Sequence, residues 1–126
     1  MDFPKDLKYV DSHEYLRVEG DQVTIGITAY AVDQLGDIVF VQLPEEGSEL
    51  KKGESFGSVE SVKAVEDLYA PLTGRIVAVN TAVMDDPATL GDDPYENGWL
   101  LKVTLTDASE LDDTLTVEEY CEQIGV

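Results

Sequence analysis

Apolar and polar residues alternate along several short stretches of the chain, as they do in β-strands that bury one face. The clearest case is residues 22–28, where Val23, Ile25 and Ile27 share a face. Residues 99–105 repeat the pattern, with an apolar face made by Trp99, Leu101, Val103 and Leu105 and an outward face made by Lys102, Thr104 and Thr106. Both stretches predict strands with one face in the core.

Two other stretches, residues 38–41 and 75–79, are almost continuously apolar and predict strands that are buried on both sides. Turn residues punctuate the chain around Gly20, Gly47, Gly53 and Gly74. Many short strands between such turns favour a mainly β fold, a sandwich of two small antiparallel sheets or a flattened barrel.

The predicted helices are short and peripheral. Thr28 is placed to cap one helix, and Gly36 is placed to end it. Thr116 and Glu119 have the spacing of a capping box and predict a C-terminal helix, in which Cys121 lies on the apolar face and packs as a small hydrophobic residue. Residues 80–98 are polar, contain two prolines and predict a long ordered loop.

Length and charge restrict the possible functions. The 126 residues suit one domain over residues 1–126. The chain has 27 acidic and 8 basic residues, a net charge of −19, and such a surface repels nucleic acids and anionic membranes. No apolar run is long enough to span a membrane, and the N-terminus lacks the features of a targeting segment. We therefore expect a cytoplasmic protein.

The residues that most enzymes use are sparse in this chain. His13 is its only histidine and Cys121 its only cysteine, so a multi-histidine or cysteine metal site cannot form. The chain also lacks a nucleophile elbow and a glycine-rich phosphate loop. An enzyme that uses acidic clefts remains the least favoured alternative. The sequence therefore gives no positive sign of an active site, and we expect no catalytic residues and no metal.

One lysine has an unusual setting. Lys63 lies where two strand-like stretches meet without an intervening glycine or proline, and its neighbours Ser61 and Ala64 are small. This arrangement predicts a tight hairpin with Lys63 at its tip. Most surface lysines have no specific role, but an amine held clear of the core on two strands is a suitable modification site.

The residues around Lys63 resemble the lipoylation motif of glycine cleavage H proteins. The motif comprises residues 60–64, Glu-Ser-Val-Lys-Ala, and residues 67–74, Asp-Leu-Tyr-Ala-Pro-Leu-Thr-Gly. Lipoyl domains of acyltransferases usually have Asp before the lysine, and biotin carriers have Met on both sides of it. The resemblance covers nearly the whole chain, with departures at Tyr15, Thr73 and Gly91, where that family more often has Trp, Ser and Asn.

The resemblance implies a lipoyl-carrier fold of the biotinyl/lipoyl type, with short flanking helices, and a lipoate joined to Lys63 through an amide bond. It also implies a monomeric carrier that shuttles an aminomethyl group in glycine breakdown. The implied partners are a pyridoxal-phosphate glycine decarboxylase, a folate-dependent aminomethyltransferase, a dihydrolipoyl dehydrogenase, and a lipoyl ligase or transferase. An H-like lipoyl relay or regulatory module that does not serve glycine breakdown is the alternative function.

H proteins are thought to shelter the loaded arm in a cleft of their own domain. The positions that match this role are Ser12, Glu14 and Asp67, whose oxygen atoms could accept hydrogen bonds from an ammonium group at the end of the arm. In a chain with 27 acidic residues, Glu14 and Asp67 could equally be ordinary surface acids.

Overall fold

The computed structural model describes residues 3–125. Over these residues the strands, in chain order, are β1 (Lys8–Tyr9), β2 (Glu14–Glu19), β3 (Gln22–Ile27), β4 (Ile38–Gln42), β5 (Glu49–Leu50), β6 (Ser55–Ser61), β7 (Val65–Tyr69), β8 (Gly74–Val79) and β9 (Leu101–Leu105). The α-helices are α1 (Ala29–Leu35), α2 (Thr81–Asp85), α3 (Ala88–Asp92) and α4 (Val117–Ile124), and a 3₁₀ helix spans Ala108–Asp113.

The strands form two antiparallel sheets. The larger has the order β1–β2–β3–β9–β8–β5, and the smaller has the order β4–β6–β7. This arrangement confirms the predicted mainly β fold with short flanking helices. No helix of the described residues is long and apolar enough to cross a membrane.

The core lies between the two sheets. Val23, Ile25 and Ile27 of β3 are all buried, as their alternation predicts, and they belong to the same core cluster as Val41 and Val59 of the smaller sheet. The predicted last strand is shorter than its pattern, because β9 begins at Leu101 and leaves Trp99 outside the strand.

The prediction of two-sided burial is wrong for β4 and β8. In β4, Val39 and Phe40 are 49% and 50% exposed, and in β8 Val77 is 38% exposed. Each strand has only one face against the core, and β4 is also an edge strand of the smaller sheet. A continuous apolar run on such a strand leaves hydrophobic side chains in water, which is a feature of surfaces that bind partners.

The structure confirms the predicted helix caps. The Thr28 side chain accepts a hydrogen bond from the Ala31 amide at the start of α1, and Gly36 ends the helix with φ 80°. Thr116 and Glu119 form the capping box of α4. The remaining residue of interest in that helix, Cys121, is a half-buried free thiol.

The prediction of a loop over residues 80–98 is wrong, because α2 and α3 lie within it. Each helix has only five residues and no capping side chain, so neither leaves a signal in the sequence. The segment is ordered by Asn80, which is buried and whose amide donates hydrogen bonds to the carbonyl oxygens of Asn97 (2.9 Å) and Trp99 (2.7 Å).

A second, aromatic cluster joins the C-terminal helix to the larger sheet. The rings of Tyr9 and Tyr120 stack at 4.9 Å between centroids. Tyr15 lies over Gly26 on the neighbouring strand, and a Cβ on that glycine would stand 2.5 Å from the tyrosine ring. The ring therefore occupies the space that any larger residue at position 26 would need, and the Tyr15 hydroxyl donates to the carbonyl of Pro94 at 2.7 Å.

Candidate functional site

Lys63 lies at the tip of the hairpin that joins β6 to β7, as predicted. The last paired residues below it are Glu60 and Val65. The turn is held by Ser61, which is 6% exposed and whose Oγ accepts hydrogen bonds from the amides of Lys63 (3.2 Å) and Ala64 (3.1 Å). A backbone bond of 2.8 Å from the Ser61 amide to the Ala64 carbonyl closes the turn. The lysine thus extends from a rigid support.

The tip is also fastened to the connection between α1 and β4. The amide of Val62 donates to the carbonyl of Asp37 at 3.1 Å. The exposed Lys63 side chain passes over Gly36, where a Cβ would stand 3.2 Å from the lysine Cε and 3.7 Å from Nζ. A glycine at this position satisfies both the positive φ and the close approach of the lysine.

A cleft of about 320 Å³ opens beside this tip. It is bordered by the start of β2, the exposed side of α1 and the beginning of β7, and its lining comprises Ser12, His13, Glu14, Ile27, Tyr30, Ala31, Gln34, Leu35, Ala64, Glu66, Asp67 and Leu68. All three predicted arm-cleft residues are therefore brought together here. The volume lies in the range of sites that hold small ligands, and Ala64 of the hairpin turn is part of the wall.

Glu14 is the buried acid of the cleft. It is 2% exposed, and the Ser12 hydroxyl donates a hydrogen bond of 2.6 Å to its Oε1. Burial raises the pKa of Glu14 to about 8, the hydrogen bond from Ser12 opposes that rise, and the nearby charge of Asp11 adds to it. At neutral pH the carboxyl group therefore holds its proton, and a cation in the cleft would favour its release.

The two acids of β7 differ in the face they occupy. Glu66 pairs with the fully buried Val59, so it shares the core-side face with Leu68. Asp67 pairs with Ser58 and shares the outer face of the sheet. Both residues border the cleft, and Glu66 is the candidate that the sequence did not single out. Side chains alternate between the two faces of a strand, and Glu66 is two residues from the apolar Leu68. This alternation, rather than the distance from Lys63 along the chain, would have identified Glu66.

His13 lies between Ser12 and Glu14 in a backbone conformation that non-glycine residues rarely adopt, with φ 73°. Its Nδ1 is 2.8 Å from the hydroxyl of Tyr120, and that hydroxyl is 2.7 Å from Oγ1 of Thr28. Burial lowers the pKa of His13, although the charge of Asp11 acts in the opposite direction. The C-terminal helix thereby fixes the backbone that presents Ser12 and Glu14.

The site as a whole presents the exposed amine of Lys63 beside a cleft that acidic side chains border. In the part of the chain that the structure describes, no group of three or more histidine, cysteine or carboxylate residues could hold a metal ion. A β scaffold that offers an exposed lysine at a hairpin tip, next to a cleft, has the arrangement that a carrier protein needs to present an attached group.

Comparison with known proteins gives the family. The family model described as "Glycine cleavage H-protein" matches residues 7–125, and the chain belongs to this family. It is 63% identical over 125 residues to the glycine cleavage system H protein of Gloeobacter violaceus, covering 98% of this chain and 97% of that protein. It is 67% identical over 120 residues to the glycine cleavage system H protein of Synechococcus sp. (strain JA-3-3Ab), covering 95% and 93%.

A solved structure agrees with this assignment. The crystal structure of a glycine cleavage system H protein from Mycobacterium marinum superposes with a TM-score of 0.91 at 48% identity, over 98% of this chain and 100% of that one. The family and the fold both support a lipoyl-carrier role in glycine cleavage.

Proposed function

We propose that this protein is the lipoylated carrier of a glycine cleavage system and that lipoate is attached to Lys63. The observation that carries the proposal is the position of Lys63, exposed at the tip of a hairpin whose turn is tied by Ser61 and fastened to Asp37. The other exposed lysines of the central segment, Lys51 and Lys52, precede a glycine, and Lys52 is paired with Asp113 at 2.7 Å.

The attachment step needs only the amine of this chain. Nζ of Lys63 attacks the acyl carbon of an activated lipoate, and the new C–N bond forms as the bond to the leaving group breaks. Nζ releases a proton to solvent, and the leaving group departs with the electron pair of the broken bond. No oxidation or reduction accompanies the step. The attached group supplies a disulfide that can accept a one-carbon amine and two electrons.

The carrier then presents the arm to three enzymes in turn. A pyridoxal-phosphate glycine decarboxylase loads the aminomethyl group, a folate-dependent aminomethyltransferase removes it, and a dihydrolipoyl dehydrogenase takes the electrons. A lipoyl ligase or transferase attaches the arm beforehand. The protein itself is a monomeric, non-enzymatic cytoplasmic carrier, with residues 1–126 forming one carrier domain.

The cleft has a role between these encounters. Ser12 and Glu14 border it, and their oxygen atoms are available to a cationic amine at the end of the arm. Such a cation favours the carboxylate form of Glu14, so the carboxyl group gives up its proton as it gains a charged partner. Asp67 borders the same cleft and adds negative charge nearby. The cleft thereby keeps the cation away from water.

The proposal is tested with carboxyl-labelled glycine. The lipoylated protein is mixed with the decarboxylase, and release of labelled carbon dioxide is followed. We expect release that requires this protein and that is absent with the Lys63→Arg variant. A protein that gains lipoyl mass but does not support release would instead be a lipoyl relay, the alternative function, and the glycine cleavage role would be rejected.

A further inference from the structure

The C-terminal helix α4 contacts the segment just before β2. Its Tyr120 side chain is fully buried, and the hydroxyl oxygen lies 2.8 Å from Nδ1 of His13 and 2.7 Å from Oγ1 of Thr28. Further along the same helix, Nε2 of Gln123 donates a hydrogen bond to the carbonyl of Asp11 at 3.3 Å. Two side chains of α4 therefore fasten the part of the cleft wall that leads into β2.

The Tyr120 hydroxyl contacts two walls of the cleft rather than one. His13 belongs to the wall at the start of β2. Thr28 caps α1, which supplies another wall, and its Oγ1 accepts a hydrogen bond from the Ala31 amide at 3.3 Å. The Thr28 amide also donates to the His13 carbonyl at 3.0 Å, so the two walls meet at these residues. One buried hydroxyl group thus bridges the walls at their junction.

The three polar groups form a hydrogen-bonded chain with a consistent direction. When Thr28 donates to Tyr120 and Tyr120 donates to Nδ1 of His13, each hydroxyl hydrogen has an acceptor. This direction requires an unprotonated Nδ1, and burial lowers the pKa of His13, which favours the neutral ring. The φ of His13, 73°, lies in the left-handed region, so its backbone depends on such surrounding contacts.

We propose that Tyr120 is a positioning residue for the cleft, because its hydroxyl group holds the start of β2 against the start of α1. The inference rests on the proposed function, in which Ser12 and Glu14 shelter a cationic amine. Tyr120 is not among the residues that line the cleft, so it acts through His13 and Thr28. Without the hydroxyl group the two walls lose their shared hydrogen-bond partner, and water gains access to the amine and to Glu14.

The test compares Tyr120→Phe with the matched control Tyr9→Phe. Tyr120→Phe removes the hydroxyl group but keeps the ring that stacks on Tyr9. Tyr9 is also fully buried, and its hydroxyl donates to the Pro4 carbonyl at 2.6 Å. Tyr9→Phe therefore loses a hydroxyl hydrogen bond in the same aromatic cluster, but to an acceptor that is not part of the cleft lining. Chemical denaturation gives the stability that each variant loses.

The first measurement follows the spontaneous loss of the cargo from the loaded arm, by the mass of the intact protein and without partner enzymes. We expect the loss to be about fivefold faster in Tyr120→Phe, the effect of one hydrogen bond. Tyr9→Phe should lose its cargo at the parent rate even when its stability falls as much as that of Tyr120→Phe. A role confined to stability would instead affect both variants alike.

The second measurement needs neither lipoate nor cargo. His13 is the only histidine in the chain, so nitrogen NMR reports one imidazole ring, and Tyr120→Phe should shift its Nδ1 signal whereas Tyr9→Phe should not. Carbon NMR of the Glu14 carboxyl group should give a pKa below the parent value of about 8 in Tyr120→Phe alone, because water reaches the group.

A lower pKa of Glu14 in Tyr120→Phe would report a change of position and not the loss of a charge. The Tyr120 hydroxyl is neutral where Glu14 titrates, since burial raises the pKa of Tyr120 to about 12. The other titratable groups that act on Glu14 or share its cleft are unchanged in both variants: Asp11 and His13 beside it, Tyr30 of α1, and Glu66 and Asp67 of β7.

Three results would overturn the proposal: equal cargo loss in the parent and Tyr120→Phe, an equal acceleration in Tyr9→Phe, or an unchanged pKa of Glu14 in Tyr120→Phe. If the parent gains no lipoyl mass at Lys63, the proposed function fails, and NMR of the unmodified protein then decides whether Tyr120 positions Glu14. If the parent is loaded and Tyr120→Phe keeps its cargo equally long, only the role of Tyr120 fails.

Discussion

The Ser12 hydroxyl donates a 2.6 Å hydrogen bond to Oε1 of Glu14, a carboxyl group that is only 2% exposed. This pair places a hydrogen-bonded acid inside the cleft beside Lys63, where burial raises the pKa of Glu14 to about 8. An acid in this state responds both to pH and to a cation that enters the cleft, and each response can be measured.

Stability should fall with rising pH because of Glu14. Its pKa of about 8 in the folded protein lies above the ordinary value of 4.5, so between these values the folded state binds more protons than the unfolded state. The free energy of unfolding therefore decreases as pH rises through this window. Glu14→Gln should remove on the order of 2 kcal/mol of that decrease, measured by chemical denaturation at several pH values.

A second variant checks the assignment of this pH dependence. The Ser12 hydrogen bond lowers the pKa of Glu14, so Ser12→Ala should raise that pKa and extend the loss of stability to higher pH. Parallel stability curves for the parent and for Glu14→Gln between about pH 5 and pH 9 would show that Glu14 does not titrate in this way.

The cleft should slow the spontaneous loss of the cargo from the loaded arm. In the Glu14→Ala, Asp67→Ala double variant we expect decay in buffer to be severalfold faster, because two carboxyl groups that border the cleft are gone. Decay is followed by the mass of the intact protein without any partner enzyme. A Glu14→Ala, Glu66→Ala variant tests whether the acid on the core-side face of β7 contributes more. Equal rates in all three proteins would remove these acids from the mechanism.

The hairpin turn should depend on Ser61. Ser61→Ala leaves the amides of Lys63 and Ala64 without the oxygen they share, which should cost about 1–2 kcal/mol of stability. Hydrogen exchange at these two amides should accelerate while exchange in β9 stays slow. Ser58→Ala is the control on the same strand, because Ser58 pairs with Asp67 and Gln42 within the sheet, away from the turn. Unchanged exchange at Lys63 and Ala64 would contradict the tie.

Association with the decarboxylase should depend strongly on salt. The net charge of −19 attracts a basic partner over distances that salt screens, about 10 Å at 0.1 M. Raising the salt concentration should slow association much more than it accelerates dissociation, as measured by stopped-flow or surface binding. An association rate that does not change with salt would show that electrostatic steering has no part in this encounter.

Much of the fold could be predicted because local signals agreed with it. The alternation in β3 and the capping by Thr28 and Thr116 are short-range patterns, and the structure has those elements where the patterns place them. The helices α2 and α3 could not be predicted, since five residues without capping side chains carry no periodic signal. Their order comes from tertiary contacts such as those of Asn80.

In the candidate site, too, local patterns predicted some features, whereas others depend on tertiary structure. Lys63 could be placed at a hairpin tip because two strand patterns meet there, whereas the faces of Glu66 and Asp67 depend on strand register, which comes from pairing with Val59 and Ser58. The exposure of Phe40 was predicted wrongly, because an apolar run indicates a strand but not whether anything covers its second face.

The central claim is that Lys63 is the sole site of lipoate attachment, and the mass of the intact protein tests it most directly. The parent and Lys63→Arg are each incubated with ligase, lipoate and ATP. Arginine keeps the positive charge but has no primary amine to attack the acyl group. We expect one lipoyl addition on the parent and none on the variant. A Lys63→Arg protein that still gains the lipoyl mass would contradict the account.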